Sequence, residues 1–506
     1  MTAFSQGWIG HLLALLAGAL VTLSLSPFDY WPLGIVSCAL LVYLLDGLTP
    51  IAAAKRSWFY GLGLFGAGTS WVYVSIHVYG YAPAALASFL TLIFSAGLAL
   101  FSAGTGYVYA RFLSNKPLGK TLGFAAIFVL GEWWRSWFLT GFPWLYIGYA
   151  HIDTPLAGWA PVLGIYGLGF IIAFTGAVLT QTIQQKALNK KSLAAVGLLW
   201  LAGAVLNTID WVEPKSTQAM NIAMVQTNIP QEIKWNRDQY LPTLELYKTS
   251  SAPLWAQADI VIWPEAAIPG YYQRAQGFLD QMAAQAKKHN TSLITGLPYL
   301  YPATETQPRR YHNSIMAFGE GSGTYHKQRL VPFGEYVPLE NLLRGMIQFF
   351  DLPMSAFTAG SSDQAPIQAG NITLAPFICY EIVYPDLVSQ WLPEADMLIT
   401  ISNDAWFGAS IGPLQHLQMA QMRALESGRY LLRSTGTGIS AIIDQRGHIT
   451  TQGSQFKREI IRGQAWAYKG ATPFSLTGST PILLLSLLLC LGVYYGVYCR
   501  IRSGKK

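Results

Sequence analysis

Hydrophobic positions divide this chain into two kinds of sequence. Long, almost unbroken apolar runs crowd residues 1–209 and return at 480–499, whereas 215–475 mixes short β-branched runs with polar turns. A helix needs about 20 apolar residues to cross a bilayer. On that scale the runs predict eight transmembrane helices, near 8–25, 31–46, 57–77, 86–110, 121–139, 163–183, 193–209 and 480–499. The first run lacks a basic leader and passes straight into further spans, so it is expected to be retained rather than cleaved.

The middle region follows a different grammar. "MNIAMVQTNIP", "ADIVIWPEAAIPG", "TSLITGLPY", "NSIMAFGEGSG", "ITLAPFICYEIVYP", "ADMLITISNDAWFG" and "TGISAIIDQRG" read as buried strands closed by polar turns. Helical patterns such as "QGFLDQMAAQAKKH" and "LQHLQMAQMRALESGRYLLR" lie between them. Strand and helix alternate, so the expected class is α/β with helices covering sheet faces. The Gly-rich "STGTGIS" is read as following a helix rather than opening one, which makes it a poor phosphate cradle.

Composition agrees with a membrane protein: 52% of the 506 residues are hydrophobic and 12% charged, against about 25% charged in soluble domains. Lys and Arg gather on the cytoplasmic side of spans. Lys55 and Arg56, Arg111 with Lys116 and Lys120, Lys186 with Lys190 and Lys191, and the basic tail from Arg500 fall in alternate connections, while "SLSPFDYWPLG" and "HVYGYAP" carry no cation. Both termini are therefore expected inside and the middle region outside. The expected organisation is a seven-helix membrane domain over 1–209, an exported domain over 210–479, and an eighth helix with a basic tail over 480–506. The formal net charge of +7 is largely accounted for by the cytoplasmic connections, so no nucleic-acid partner is expected. Of four cysteines only Cys379 falls in the exported region.

Three ionisable residues end strand-like runs: Glu265 in "IVIWPEAAIP", Lys327 in "YHKQRLVPFGEYVP" and Cys379 in "FICYEIVYP". Each has a bland alternative, respectively a capping carboxylate, a solvated loop lysine and a buried structural thiol. His416, Asp404, Arg423 and Glu426 suggest a metal site less well, since no HExxH or clustered Cys/His spacing is present; Arg423 and Glu426 have the i,i+3 spacing of a helical ion pair. No metal or other cofactor is expected.

The ordered set "WPEAAIP", "YHKQRLVPFGEYVP", "ICYE" and "ISNDAWFG" resembles the nitrilase, or carbon–nitrogen hydrolase, superfamily. With seven spans before such a domain and one after, the whole chain more closely resembles the apolipoprotein N-acyltransferase family. The resemblance implies an αββα nitrilase-like sandwich inserted in a polytopic membrane domain. It makes Cys379 the nucleophile, Glu265 the general base and Lys327 the cation that steadies the oxyanion, helped by the backbone N–H of Tyr380. It also implies a hydrogen-bonding role for Glu335, support of the cysteine loop by Glu381, and site roles for Trp235 and Trp144; for Trp144 an interfacial anchor is the preferred alternative. A neighbouring ammonium is expected to lower the thiol pKa.

The same resemblance implies two substrates: a phospholipid acyl donor, pointing to the sn-1 chain of phosphatidylethanolamine, and a diacylated apolipoprotein acceptor. The reaction would run by ping-pong transfer through a cysteine thioester in the bacterial inner membrane, with the catalytic domain on the periplasmic side. A membrane-tethered amidase that delivers its acyl group to water uses the same triad and is the alternative enzyme. A transporter fits less well, because the spans hold few central charges and Glu132 with Arg135 could simply pair. The apolar segment "LLRGMIQFFDLPMSAF", 342–357, is expected to gate lipid entry.

Overall fold

The computed structural model describes residues 7–186, 189–305, 308–336 and 356–502, with side chains as far as residue 496. Most of the expected gate, including Phe349 and Phe350, lies outside the described residues. The chain forms two compact units, one of Met1–Tyr73, Pro83–Asp210 and Thr477–Lys506, the other of Val74–Ala82 and Trp211–Leu476.

In the first unit each of the expected spans falls on a helix: Gly7–Ser24, Pro32–Leu45, Pro50–Gly68, Ala84–Val108, Phe124–Trp137, Ala160–Gln185, Lys190–Leu206 and Thr480–Arg502. Gly7–Ser24, Ala84–Leu113 and Pro155–Gln185 are long and apolar enough to cross a membrane by length and composition, and Pro32–Leu45 and Thr480–Gly496 are shorter apolar helices. The third run differs from its expected form. Thr49 caps the helix through Ala52 N and Pro50 occupies its first turn, so the helix starts earlier and ends at Gly68. Arg56 is consequently not in a cytoplasmic connection. It is buried inside the helix, donating to His11 Nδ1 and the Leu44 carbonyl, both at 3.3 Å. Arg135 does not simply pair with Glu132: its guanidinium donates to the carbonyls of Phe142 and Trp144 at 2.5 and 2.6 Å, and Glu132 accepts from Ile147 N.

The second unit carries fifteen strands among its described residues. They are β1 (Val212–Pro214), β2 (Met220–Gln226), β3 (Ile260–Ile262), β4 (Ser292–Tyr301), β5 (Arg310–Gly319), β6 (Gly321–Ser322), β7 (Thr324–His326) and β8 (Ile367–Ala369). There follow β9 (Ile372–Ile378), β10 (Met397–Ser402), β11 (Leu431–Thr435), β12 (Ala441–Ile443), β13 (Ile449–Gln452), β14 (Glu459–Ala465) and β15 (Tyr468–Gly470). One sheet has the order β14-β2-β3-β4-β5-β7 and the other β13-β12-β11-β10-β9-β8-β6. Within them β2-β3-β4 and β9-β10-β11 run parallel.

Alternation along the strands makes the layers. Ile222 and Met224 of β2 join Leu374, Ile378, Ile399 and Leu432 of the other sheet in one apolar core. Ala223 and Val225, pointing the other way, pack with Leu244, Tyr247, Leu279 and Met282 of helices Tyr240–Ser251 and Tyr272–Lys288. Helix Gly412–Ser427 is buried along nearly its whole length. The expected helix over 414–433 is shorter than its pattern suggested. Gly428 adopts φ +64 and ends it, and Leu431–Thr435 pairs in parallel with β10. "STGTGIS" therefore follows a strand, and it leads into β12 rather than into a helix.

Close approach of helices Gly7–Ser24 and Pro50–Gly68 depends on small residues. A Cβ at Gly63 would lie 1.9 Å from the Leu15 carbonyl oxygen. Gly63→Val should therefore cost about 1–3 kcal/mol through overpacking, read as an earlier thermal unfolding in detergent micelles; an unchanged transition would mean that the pair does not pack through this glycine.

Candidate active site

The parallel strands deliver the chemistry at their C-terminal ends, where open α/β sheets bind ligands. Glu265 follows β3, Cys379 follows β9 directly, and Asn403 and Asp404 follow β10. Lys327 comes just after β7, and its N–H donates to the Asn313 carbonyl of β5 at 2.8 Å. That register sets the side chains of Asn313 and Lys327 beside the same two carboxylates.

Those carboxylates are Glu265 and Glu335. Asn313 Nδ2 bridges them, donating to Glu265 Oε1 at 2.7 Å and Glu335 Oε1 at 3.0 Å. Asn403 N donates to Glu265 Oε2 at 2.6 Å and Val331 N to Glu335 Oε2 at 2.9 Å. Lys327 Nζ is held tightly by Glu335, at 2.8 and 2.9 Å from its two oxygens, and stands 4.0 Å from Glu265. Lys327 is 1% exposed and both carboxylates less than a tenth. Burial works against its ammonium, but Glu335 and Glu265 hold its pKa far above that of an ordinary lysine. Glu265 moves upward, chiefly through burial, against the pull of Lys327.

Cys379 is half-buried and sits at φ +53, a left-handed conformation that is uncommon for a residue with a Cβ. Both sides of it are fixed. Ile378 N donates to Glu381 Oε2 at 2.8 Å, and His416 Nε2–H donates to the Cys379 carbonyl at 3.1 Å. Glu381, wholly buried, also accepts from Tyr325 Oη and from the N–H groups of Gln328 and Arg329. Burial lifts its pKa to about 7. One carboxylate thus ties the cysteine turn to the segment after Lys327.

The thiol departs from expectation. Burial first, and then the charge of Glu265, push its pKa well above that of a free cysteine, and Lys327 only partly offsets them. Lys327 is largely neutralised by Glu335, so too little of its field is left to make a resting thiolate. Cys379 Sγ, an Asp404 oxygen and a His416 nitrogen lie within 4.8 Å of one another. Arg433 Nη2 already occupies Asp404 Oδ2 at 2.6 Å, which sets a positive charge where a cation would have to bind. Arg423 and Glu426 pair at 3.1 Å inside their helix, away from this chemistry.

Tyr380 is the second residue of the short helical turn Cys379–Val383 and packs edge-on against Tyr384. Trp235 is half-buried after helix Gln231–Lys234, and its Nε1 finds no acceptor among the described residues. Trp144 belongs to the other unit, where it is fully buried against Trp71 and Phe142, leaving no surface for an interfacial anchor. Asn313, Asn403 and Lys234 escaped the sequence reading. Asn313 could be found only through the pairing of β5 with β7, and Asn403 acts through its backbone, which carries no residue-type signal.

Two family models match the chain: an apolipoprotein N-acyltransferase N-terminal domain over residues 17–178 and a carbon–nitrogen hydrolase over 221–465. An apolipoprotein N-acyltransferase of Pseudomonas syringae pv. tomato is 48% identical over 490 residues, 96% of each chain. One from Azotobacter vinelandii is 45% identical over 488 residues, covering 96% of this chain and 94% of that one. Among solved structures, a carbon–nitrogen hydrolase from Helicobacter pylori aligns with 49% of this chain and 88% of its own at 18% identity and a TM-score of 0.35.

Beside Lys327, His326 bonds Ser314 Oγ at 2.7 Å and Tyr301 Oη at 3.2 Å and stacks near His312. Burial, His312 and Arg310 lower its pKa to about 4 from an ordinary 6.5. The unfolded chain thus binds the extra proton between these values, so this residue's contribution to stability is complete above pH 6.5 and falls away toward pH 4. In His326→Gln the loss of melting temperature between pH 6.5 and 4.5 should be shallower than in the parent; parallel curves would assign no linkage to this residue.

Proposed function

The chain belongs to the apolipoprotein N-acyltransferase family, enzymes of lipoprotein maturation, and from this we propose that Cys379 carries a fatty acyl group from a membrane phospholipid to the N-terminal amine of a diacylated apolipoprotein. The observation that carries the mechanism is the buried Glu265–Asn313–Glu335–Lys327 cluster beside a cysteine held in a left-handed turn.

Because the thiol rests protonated, its proton must leave as it attacks. Glu265 accepts that proton while Sγ bonds to the ester carbonyl carbon. Lys327 and the Tyr380 N–H steady the oxyanion. Collapse breaks the carbon–oxygen ester bond; the lysophospholipid alkoxide takes the proton back from Glu265, leaving the acyl thioester. In the second half the α-amino group of the acceptor attacks the thioester carbon and gives its proton to Glu265. The carbon–sulfur bond breaks, sulfur regains a proton, and the N-acyl amide departs. Storing the acyl group on sulfur divides one difficult transfer into two and gives ping-pong kinetics.

A lipid donor accounts for the membrane unit. Each methylene drawn from hydrocarbon into water costs about 0.8 kcal/mol, so the thiol must work beside the bilayer. The reading extends to eight membrane crossings in the bacterial inner membrane, with the second unit on the periplasmic side and phosphatidylethanolamine as donor. The cation pattern supports that orientation, although Arg56 drops out of it.

Incubating purified protein with phosphatidylethanolamine should add one acyl mass to the Cys379 peptide, and a diacylated lipopeptide with a free amine should discharge it. Glu265→Gln should slow adduct formation by about 10²-fold or more, and Cys379→Ala should abolish it. Discharge into water at the same rate with or without lipopeptide would replace transfer by hydrolysis.

A further inference from the structure

A second lysine is buried beside the site. Lys234 ends helix Gln231–Lys234, is 5% exposed, and places Nζ 3.4 Å from the backbone carbonyl of Glu265, a long contact for an ammonium. Its helix is tied to the same loop that holds the Glu265 carboxylate. Asn403 Nδ2 donates to Gln231 Oε1 at 3.1 Å, while Asn403 N donates to Glu265 Oε2. Burying an ammonium with so little hydrogen bonding is costly unless a negative charge needs it.

The charge count identifies that need. Glu265 and Glu335 share Asn313 and face the ammonium of Lys327, two negative charges against one. Arg433 is spent on Asp404. Glu381 hangs on its own set of donors. On the outer side of Lys234's own helix only Glu232 is charged, and it is exposed. With a single ammonium shared between two carboxylates, a second cation against the Glu265 carbonyl can balance the charge that Glu265 takes on.

We propose that Lys234 is a positioning residue whose buried ammonium, held against the Glu265 backbone carbonyl, keeps the Glu265 carboxylate ionised beside Glu335 and so sets the pH at which Glu265 becomes able to accept the thiol proton. The inference rests on the reading of Glu265 as the base. Lys234 loses affinity for its proton by burial, to a pKa of about 8, with Glu265 opposing the fall, so it is charged at neutral pH. Removing it leaves Glu265 more reluctant to ionise, which moves its titration upward.

The test is the pH dependence of acyl-adduct formation at Cys379, measured on the full chain with phosphatidylethanolamine in micelles between pH 5 and 8. Lys234→Met keeps the apolar stem and removes the charge. Its acid limb should move up by about one pH unit, and Lys234→Arg should return the limb to the parent position. Lys234→Gln gives the same reading if the Met variant does not fold, melting curves deciding which is used. A lower rate with an unmoved limb would reduce Lys234 to packing and overturn the proposal, as would a folded Arg variant that leaves the limb displaced. A Glu265→Gln protein that still forms the adduct would instead remove the base itself, so the two failures are distinguishable.

Discussion

Placing Glu265, Glu335 and Lys327 together out of water is the constraint on which the rest of the second unit depends. Desolvating such ions costs several kcal/mol each, and mutual attraction offsets the loss only where the remaining lone pairs and protons are also met. Here Asn313 bridges the carboxylates, and the N–H groups of Asn403 and Val331 take their outer oxygens. Two of those donors are backbone groups at the ends of separate segments. The charged cluster therefore specifies where the loops after β3, β7 and β10 must stand, and the sheets supply a rigid base for them.

The cysteine turn is the second consequence. A residue at φ +53 with a side chain persists only when its neighbours overdetermine it. Glu381 takes the N–H before Cys379 and the N–H groups after Lys327, while His416 takes the carbonyl of Cys379 itself. His416 in turn lies against Asp404 and Arg433 at 3.2 Å each. Cys379 and Lys327 are thus fixed relative to each other by one carboxylate, and Cys379 is fixed by one imidazole to helix Gly412–Ser427 and to the end of β10 and to β11 in its own sheet.

What was legible in the sequence follows from how locally each feature is encoded. The strands "IVI" and "LITIS" are short β-branched runs ended by polar turns, so their identity and ends could be read directly. The helix at 414 was overextended because "RYLLR" continues an apolar period; only the left-handed Gly428 and pairing with β10 convert it to strand. Glu265, Lys327, Glu335, Cys379 and Glu381 were recoverable from the order of family motifs. Their distances were not, because they arise from pairings between segments far apart in the chain. The missed groups share this cause: Asn313 matters through register, Asn403 through its N–H, and Lys234 through a contact with a carbonyl thirty-one positions away.

The direction of the cysteine shift changes how the chemistry should be understood. Burial and then the charge of Glu265 push the Cys379 thiol well above an ordinary cysteine, and Lys327, committed to Glu335, offsets them only in part. On the proposed mechanism, reaction then requires a carbonyl carbon and an ionised Glu265 at the same moment. The same feature serves the return step. A thiolate that is poorly stabilised recaptures its proton readily, and in the proposed return step the base that has just taken one from the attacking amine is Glu265. Deprotonating the amine and releasing sulfur become one coupled event, favouring an acceptor that arrives with an N–H to give. Water can do the same, so chemistry alone does not select the acceptor. On the proposed reading, selection comes from which nucleophile can reach the thioester, and a lipid environment around the apolar helices, by concentrating acylated amines and thinning out water, would be the physical reason for attaching a hydrolase-type fold to them.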